Sequence, residues 1–288
     1  MLRGACGVTA AAILGNGPAR ATPGPGQSFL TAPDGRRFPV WEWRSSHAHA
    51  GTILFSHGAQ SSPLHYPDMI GAWVAAGWNV IAPLHVDSTE HPDHARHTGA
   101  HWWKVRIEDV RAVARQIGGA YVAAGHSFGG LNALTLGGAA ATLPAGVTGP
   151  LRDPAARAVL AFSPPRPVAG MITAPGYAEL AVPALIQTGT IDLTIPGAPA
   201  DSWKGHLTAF DVAAPGGHRY ALVLDGADHY FGGLICDPTR PGPPQTAQLA
   251  NATALSLAFL AEWGTGHARG TAPDQRVGVH HGYALSVK

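Results

Sequence analysis

YVAAGHSFGG, residues 121–130, runs from an aromatic and three small apolar residues into a serine set between glycines. Tyr121-Val122-Ala123-Ala124 reads as a buried strand, and a helical pattern begins at Gly129. Between them, Gly125, Ser127 and Gly129 match G-x-S-x-G, a strand–turn–helix pattern that holds a serine at a sharp elbow. A serine there takes an unusual backbone conformation, and its neighbours two residues away must clear the adjoining strand and helix. Glycine meets that demand at both positions. The turn also aims the first N–H groups and the dipole of the helix at the serine. The plain alternative is a glycine-rich turn with no chemistry.

Outward from this stretch, short apolar runs alternate with helical patterns. Strands are expected at 40–43, 52–56, 79–83, 120–126, 157–163, 183–188 and 219–225. Helices are expected at 69–76, 102–117, 129–141, 202–213 and 245–263, the last closing the core. In the 102–117 helix, Trp102, Val105, Val110, Val113 and Ile117 share one broad face. Strands that are apolar throughout and separated by helices imply a mostly parallel sheet covered on both faces. The sequence shows no repeat and no second core. It divides into a signal peptide at 1–21, a linker and N-terminal extension at 22–36, and one α/β domain at 37–288.

The chain has 288 residues, 45% hydrophobic and 13% charged, with a formal net charge of +1. That composition excludes a disordered chain, and the lack of a basic stripe argues against a nucleic-acid partner. Arg3, the small and apolar residues 4–15, and Ala19-Arg20-Ala21 fit an export signal, which would send the protein to the periplasm or outside the cell; the alternative is a cytoplasmic protein with an N-terminal tail. No run has the ~18 apolar residues of a membrane span. Cys6 and Cys236 form no disulfide framework and match no zinc spacing. Cys236 is expected to be a buried structural thiol.

In a sheet of this kind, reactive groups gather beyond the carboxyl ends of the strands. A serine hydroxyl needs a base held by a third group, in the chain order serine, acid, histidine. Asp192, in QTGTIDLTIP (187–196), and His229, in LDGADHYFGG (224–233), follow two later strands in that order. Asp211, Asp225 and Asp228 are alternative acids. His218 is an alternative base, but it precedes its strand and belongs at the opposite edge. The plain readings are a turn-capping aspartate and a surface histidine. An oxyanion hole takes one N–H from the residue after the nucleophile, Phe128, and one from the loop FSHGAQSS (55–62), at Ala59 with Gln60 as runner-up. His57 in that loop is expected to fix it in place.

The SHG strand end, the GHSFGG elbow, the GTxD acid loop and the DGADH histidine loop together resemble the α/β-hydrolase superfamily. Within it they resemble the dienelactone-hydrolase-like and platelet-activating-factor-acetylhydrolase-like branch, over roughly residues 37–263. The resemblance implies Ser127 as nucleophile, Asp192 as acid, His229 as base, and Ala59 with Phe128 as oxyanion donors. It implies hydrolysis of carboxylic esters of small or medium acyl groups through an acyl-enzyme, with no metal or organic cofactor. Dienelactone hydrolases carry cysteine as nucleophile; serine here favours ordinary esters. An amidase or peptidase with the same triad, and an inactive binding protein on the same fold, are the alternatives. The sequence is silent on oligomeric state.

HVDSTEHPDHARHTGAHWWKV (85–105) is the unusual segment. His91, His94, His97 and His101 are spaced for one helical face, a pattern that can bind zinc, yet Pro92 and Gly99 oppose a continuous helix. The favoured expectation is a polar loop at the substrate entrance, oriented in part by Asp87 and Ser88. Of Trp102 and Trp103, at most one can face the core. Tyr230 and Phe231 either shape a pocket or pack to fix the histidine loop.

Overall fold

The apolar runs form the strands of one ten-stranded sheet. A computed structural model describes residues 24–288 apart from 48, 195–196, 241 and 266–272. In chain order the elements are β1 (Gly26–Thr31), β2 (Arg37–Trp43), β3 (Gly51–Ser56), α1 (Pro67–Ala75), β4 (Trp78–Pro83), α2 (Gly99–Ile117), β5 (Tyr121–His126), α3 (Phe128–Leu136) and β6 (Ala156–Phe162). They continue with α4 (Ala174–Ala178), β7 (Ala184–Gly189), α5 (Thr208–Asp211), β8 (Arg219–Leu224), α6 (Thr246–Phe259), β9 (Gly278–His280) and β10 (Tyr283–Val287). The order across the sheet is β1-β2-β4-β3-β5-β6-β7-β8-β10-β9. The centre, from β4 to β8, is parallel. Antiparallel strands flank it on both sides.

Residues of β5 and β7 are buried throughout, because helices cover both faces. One core gathers Phe55, Trp73, Phe162 and Tyr220 with Leu255 and Phe259 of α6. The other gathers Leu54, Tyr121 and Ile186 with Val113 of α2 and Leu134 of α3. Each fully buried large apolar side chain contributes about 1.5–3 kcal/mol by leaving water, so the two cores hold the sheet rigid beneath its loops. No described helix is long and apolar enough to cross a membrane.

The edges differ from expectation. Gly26–Thr31, assigned above to a linker, pairs with β2 as an outer strand; its mixed, largely exposed residues carry little strand signal. After the helix expected to close the core, β9 and β10 add a hairpin whose outer strand is nearly all exposed. The expected helix at 202–213 is a 3-10 turn (Ser202–Leu207) followed by the four-residue α5. α3 stops at Leu136, ahead of Gly137 and Gly138, rather than reaching 141. On α2 it is Trp103, with Ile107, Val110 and Val113, that enters the core, while Trp102 is half-buried. The expected signal peptide and Cys6 lie outside the described residues.

Candidate active site

Ser127 stands between the end of β5 and the start of α3 with φ 53° and ψ −120°, a conformation that L residues rarely adopt. A Cβ at Gly125 would sit 2.1 Å from the carbonyl oxygen of Gly129, and one at Gly129 would sit 1.9 Å from that of Ser56. Both obstacles are backbone, so neither position accepts a side chain. The elbow is pinned by the Ser127 N–H donating to Phe162 O at 2.8 Å and by Gly130 N–H donating to Ser127 O at 2.8 Å. Ser127 is half-buried, and among the described residues its hydroxyl makes no hydrogen bond. Strain of this kind persists only where the surroundings enforce it.

Asp192 and His229 project from the loops after β7 and β8, and the structure brings them together. His229 Nδ1 donates to Asp192 Oδ1 at 2.8 Å, and Thr188 Oγ1 donates to the other carboxylate oxygen at 3.0 Å. Burial pushes the Asp192 pKa up, but its electrostatic and hydrogen-bonding interactions with His229 and then His206 prevail and hold it well below the usual carboxylate range. The remaining nitrogen of His229, Nε2, is left as an acceptor.

A directed chain of hydrogen bonds ties this histidine loop to the elbow. Gly58 N–H donates to the Tyr66 hydroxyl at 2.9 Å, the hydroxyl donates to His126 Nδ1 at 3.0 Å, and His126 Nε2 donates to the His229 carbonyl at 2.9 Å. Each link has one donor only if His126 is neutral. Burial lowers the His126 pKa well below its ordinary value and raises that of Tyr66. The His126 and His229 rings lie 4.7 Å apart, so the base loop rests against the residue preceding Ser127.

The backbone N–H groups left without a partner beside the elbow emerge by elimination. In the loop after β3, the N–H of Gly58 is taken by Tyr66, that of Gln60 by Asp87 at 3.0 Å, and that of Ser61 by the Gly58 carbonyl. Among the described residues the N–H groups of Ala59 and Phe128 have no partner. The runner-up, Gln60, is thereby unsuited: its donor already points into the protein.

A fully buried guanidinium holds that loop. Arg106 of α2 donates to both Asp87 oxygens at 2.8 and 2.7 Å, and to the carbonyls of His57 and Gly58 at 2.8 and 2.9 Å. Burial opposes the charge of Asp87, and the Arg106 charge beside it outweighs burial and keeps it ionised. His57 Nδ1 donates to the Gly58 carbonyl at 2.7 Å while its Nε2 accepts the His85 N–H at 3.0 Å, which makes His57 the loop-fixing residue expected. Asp87 thus ties Arg106 to the 57–61 loop through the Gln60 N–H, a deeper position than the sequence suggested.

The other candidates take structural positions. Asp228 accepts the N–H groups of Tyr230 and Gly232 and builds the His229 loop; Asp225 accepts from Thr190. Asp211 is exposed, and His218 packs on Trp263 at the start of β8, at the far edge. Phe231 is fully buried and Tyr230 half-buried against Arg240, so both pack the loop. Cys236 is a buried free thiol, as expected. His94 lies in a 3-10 turn and His101 in α2, with His97 extended between them, so the four histidines do not share one helix.

Two contributors escaped the sequence reading. Arg106 sits on the buried face of α2 between Trp103 and Val110, which was the available signal. His206, buried in the 3-10 turn before α5, lies with its Nε2 3.3 Å from Asp192 Oδ1. Ligand atoms of Asp192, His206 and His229 fall within 4.8 Å of one another, a spacing that a metal could bridge.

No family model matches the chain, and no curated protein matches it in sequence. Solved structures do match. The esterase domain of a Rhodothermus marinus protein superposes with a TM-score of 0.55 at 16% identity, covering 83% of this chain and 98% of that one. A thermophilic esterase from Thermogutta terrifontis, solved with propionate bound, gives 0.61 at 18% identity, covering 88% and 98%. A puromycin-hydrolyzing peptidase from Mycobacterium tuberculosis gives 0.57 at 18% identity, covering 86% of this chain and 41% of that one. With a sheet of this order, helices on both faces, and a serine elbow after β5, the chain has the α/β-hydrolase fold.

Proposed function

We propose that the protein is a serine hydrolase that cleaves carboxylic esters of small or medium acyl groups. Ser127 is the nucleophile, His229 the base and Asp192 the acid. The observation that carries this reading is the combination at one rim of a strained, half-exposed serine, an imidazole–carboxylate pair at 2.8 Å, and two unpartnered N–H groups. Structures of this fold that match the chain include esterases, one of them with propionate bound.

On this reading, His229 Nε2 takes the Ser127 proton as the oxygen attacks the ester carbonyl. Catalytic hydrogen bonds are commonly open in a resting enzyme and close with substrate, which accounts for the unbonded Ser127 hydroxyl. The N–H groups of Ala59 and Phe128 receive the developing oxyanion, helped by the N-terminus of α3. His229 then gives its proton to the leaving alcohol, and water repeats the attack on the acyl-enzyme. Asp192 keeps the proton of the resting imidazole on Nδ1, so that Nε2 stays available.

A panel of p-nitrophenyl esters tests the reading: acetate and butyrate are turned over, and Ser127→Ala abolishes turnover with the circular dichroism spectrum unchanged. Undiminished turnover by purified Ser127→Ala overturns it.

A further inference from the structure

His206 is the buried group that the acyl-transfer scheme leaves unused. Its Nδ1 lies 2.7 Å from the Pro164 carbonyl, and its Nε2 lies 3.3 Å from Asp192 Oδ1, the oxygen that also accepts His229. The Pro164 carbonyl can only accept, which places a proton on Nδ1, and a carboxylate oxygen beside Nε2 favours a second proton there. The ring lies 5.8 Å centroid to centroid from that of His229.

We propose that His206 is a positioning residue of the esterase site, a cationic clamp that fixes the Asp192 carboxylate and sets the pH at which His229 serves as base. This rests on the Ser127–His229–Asp192 reading. Two consequences follow from the charge. Shared between two N–H donors, Asp192 is a weaker partner for His229 than it would be alone. A second cation nearby also opposes the imidazolium that His229 becomes during attack. Both effects count against a second positive charge on the His229 ring beside a cationic His206.

The groups facing His206 come from four elements. Asp192 comes from the loop after β7, His229 from the loop after β8, and His126 from the end of β5. Arg166 of the loop after β6 packs against Gly205 beside it. On its own turn, Lys204 is exposed and pairs with Asp201. Burial and the Arg166 charge oppose its protonation, while the Asp192 hydrogen bond and charge, with the Pro164 carbonyl, favour it; the balance raises its pKa above the ordinary histidine value.

Two variants and one spectrum test the clamp. Nitrogen-15 NMR of the resting protein at pH 7 should find both ring nitrogens of His206 protonated, a signal that His206→Gln removes. His206→Gln keeps a donor for Asp192 without the charge. It should retain kcat within about fivefold, with the acid limb of kcat/KM moved up by about one pH unit. His206→Phe loses the donor as well and should lose more than tenfold in kcat. A neutral His206 at pH 7, or a Gln variant whose pH profile falls in parallel with the wild type, overturns the clamp. Absence of Ser127-dependent turnover in the wild type would instead refute the esterase reading, and the NMR signal then decides the charge of His206 by itself.

Discussion

Ser56, His85 and Asp109 form a hydrogen-bonded serine–histidine–aspartate chain in the interior, while Ser127, His229 and Asp192 gather at the rim. In the inner chain His85 Nε2 lies 2.9 Å from the Ser56 hydroxyl and Nδ1 lies 2.8 Å from Asp109. By contact lengths alone it is the more complete of the two, since the Ser127 hydroxyl is unbonded. Yet all three inner residues are essentially inaccessible, and Ser56 lies within a regular strand. The outer set has the positive-φ elbow, contact with solvent and the two unpartnered N–H groups. In this molecule a serine–histidine–aspartate chain thus also serves as polar packing, and reactivity needs the strained backbone, the access and the free donors around it.

The largest expected effect would break the elbow itself. Gly129→Ala drives a Cβ to within about 2 Å of the Ser56 carbonyl, so no soluble folded protein is expected; a native melting transition would contradict the close approach. The sharpest contrast between the two sets comes next. Ser127→Ala should lower kcat/KM by roughly 10^4-fold or more at unchanged stability. Ser56→Ala should leave kcat/KM within a few-fold and cost about 1–3 kcal/mol by denaturant unfolding, because it orphans buried polar partners. Equal losses of activity in the two variants would erase the distinction.

The ion pair beneath the oxyanion loop is a middle case. Asp87→Asn leaves the fully buried Arg106 guanidinium without its counter-charge and replaces one of the two accepting oxygens by an NH2 donor. Unfolding in urea should register a loss of about 3–5 kcal/mol, with kcat falling more than KM rises as Ala59 loses its orientation.

The smallest effect is a pH dependence of stability. Burial raises the Asp109 pKa from 3.8 to about 7, against the opposing charge of Arg36. An acid whose folded pKa is raised stays protonated in the native state while the unfolded chain ionises. Stability from this group therefore declines as pH rises from about 4 to about 7. Asp109→Asn removes that decline: its stability relative to the wild type should be higher at pH 7 than at pH 4. A difference that is flat in pH would contradict the raised value.

The sequence made the elbow legible because G-x-S-x-G records a backbone constraint, one that only glycine satisfies at 125 and 129. Asp192 and His229 were legible from chain order and from their places after apolar strands. Strand β1 and the β9–β10 hairpin were not, because half-exposed edge strands need few apolar residues. Arg106 and His206 were hidden for a different reason: a buried charge is defined by partners distant in sequence, Asp87 in one case and Asp192 with Pro164 in the other. The histidine run at 91–101 carried the strongest visual pattern and the weakest consequence, because Gly99 starts a new helix partway through it.

Fluorophosphonate labelling followed by peptide mapping addresses the central contrast most directly, since the reagent needs an activated, reachable serine and no knowledge of the natural ester. A single adduct is expected on the peptide that holds Ser127, lost in His229→Ala and untouched by Ser56→Ala. An unlabelled protein, or an adduct on any other serine, would contradict it.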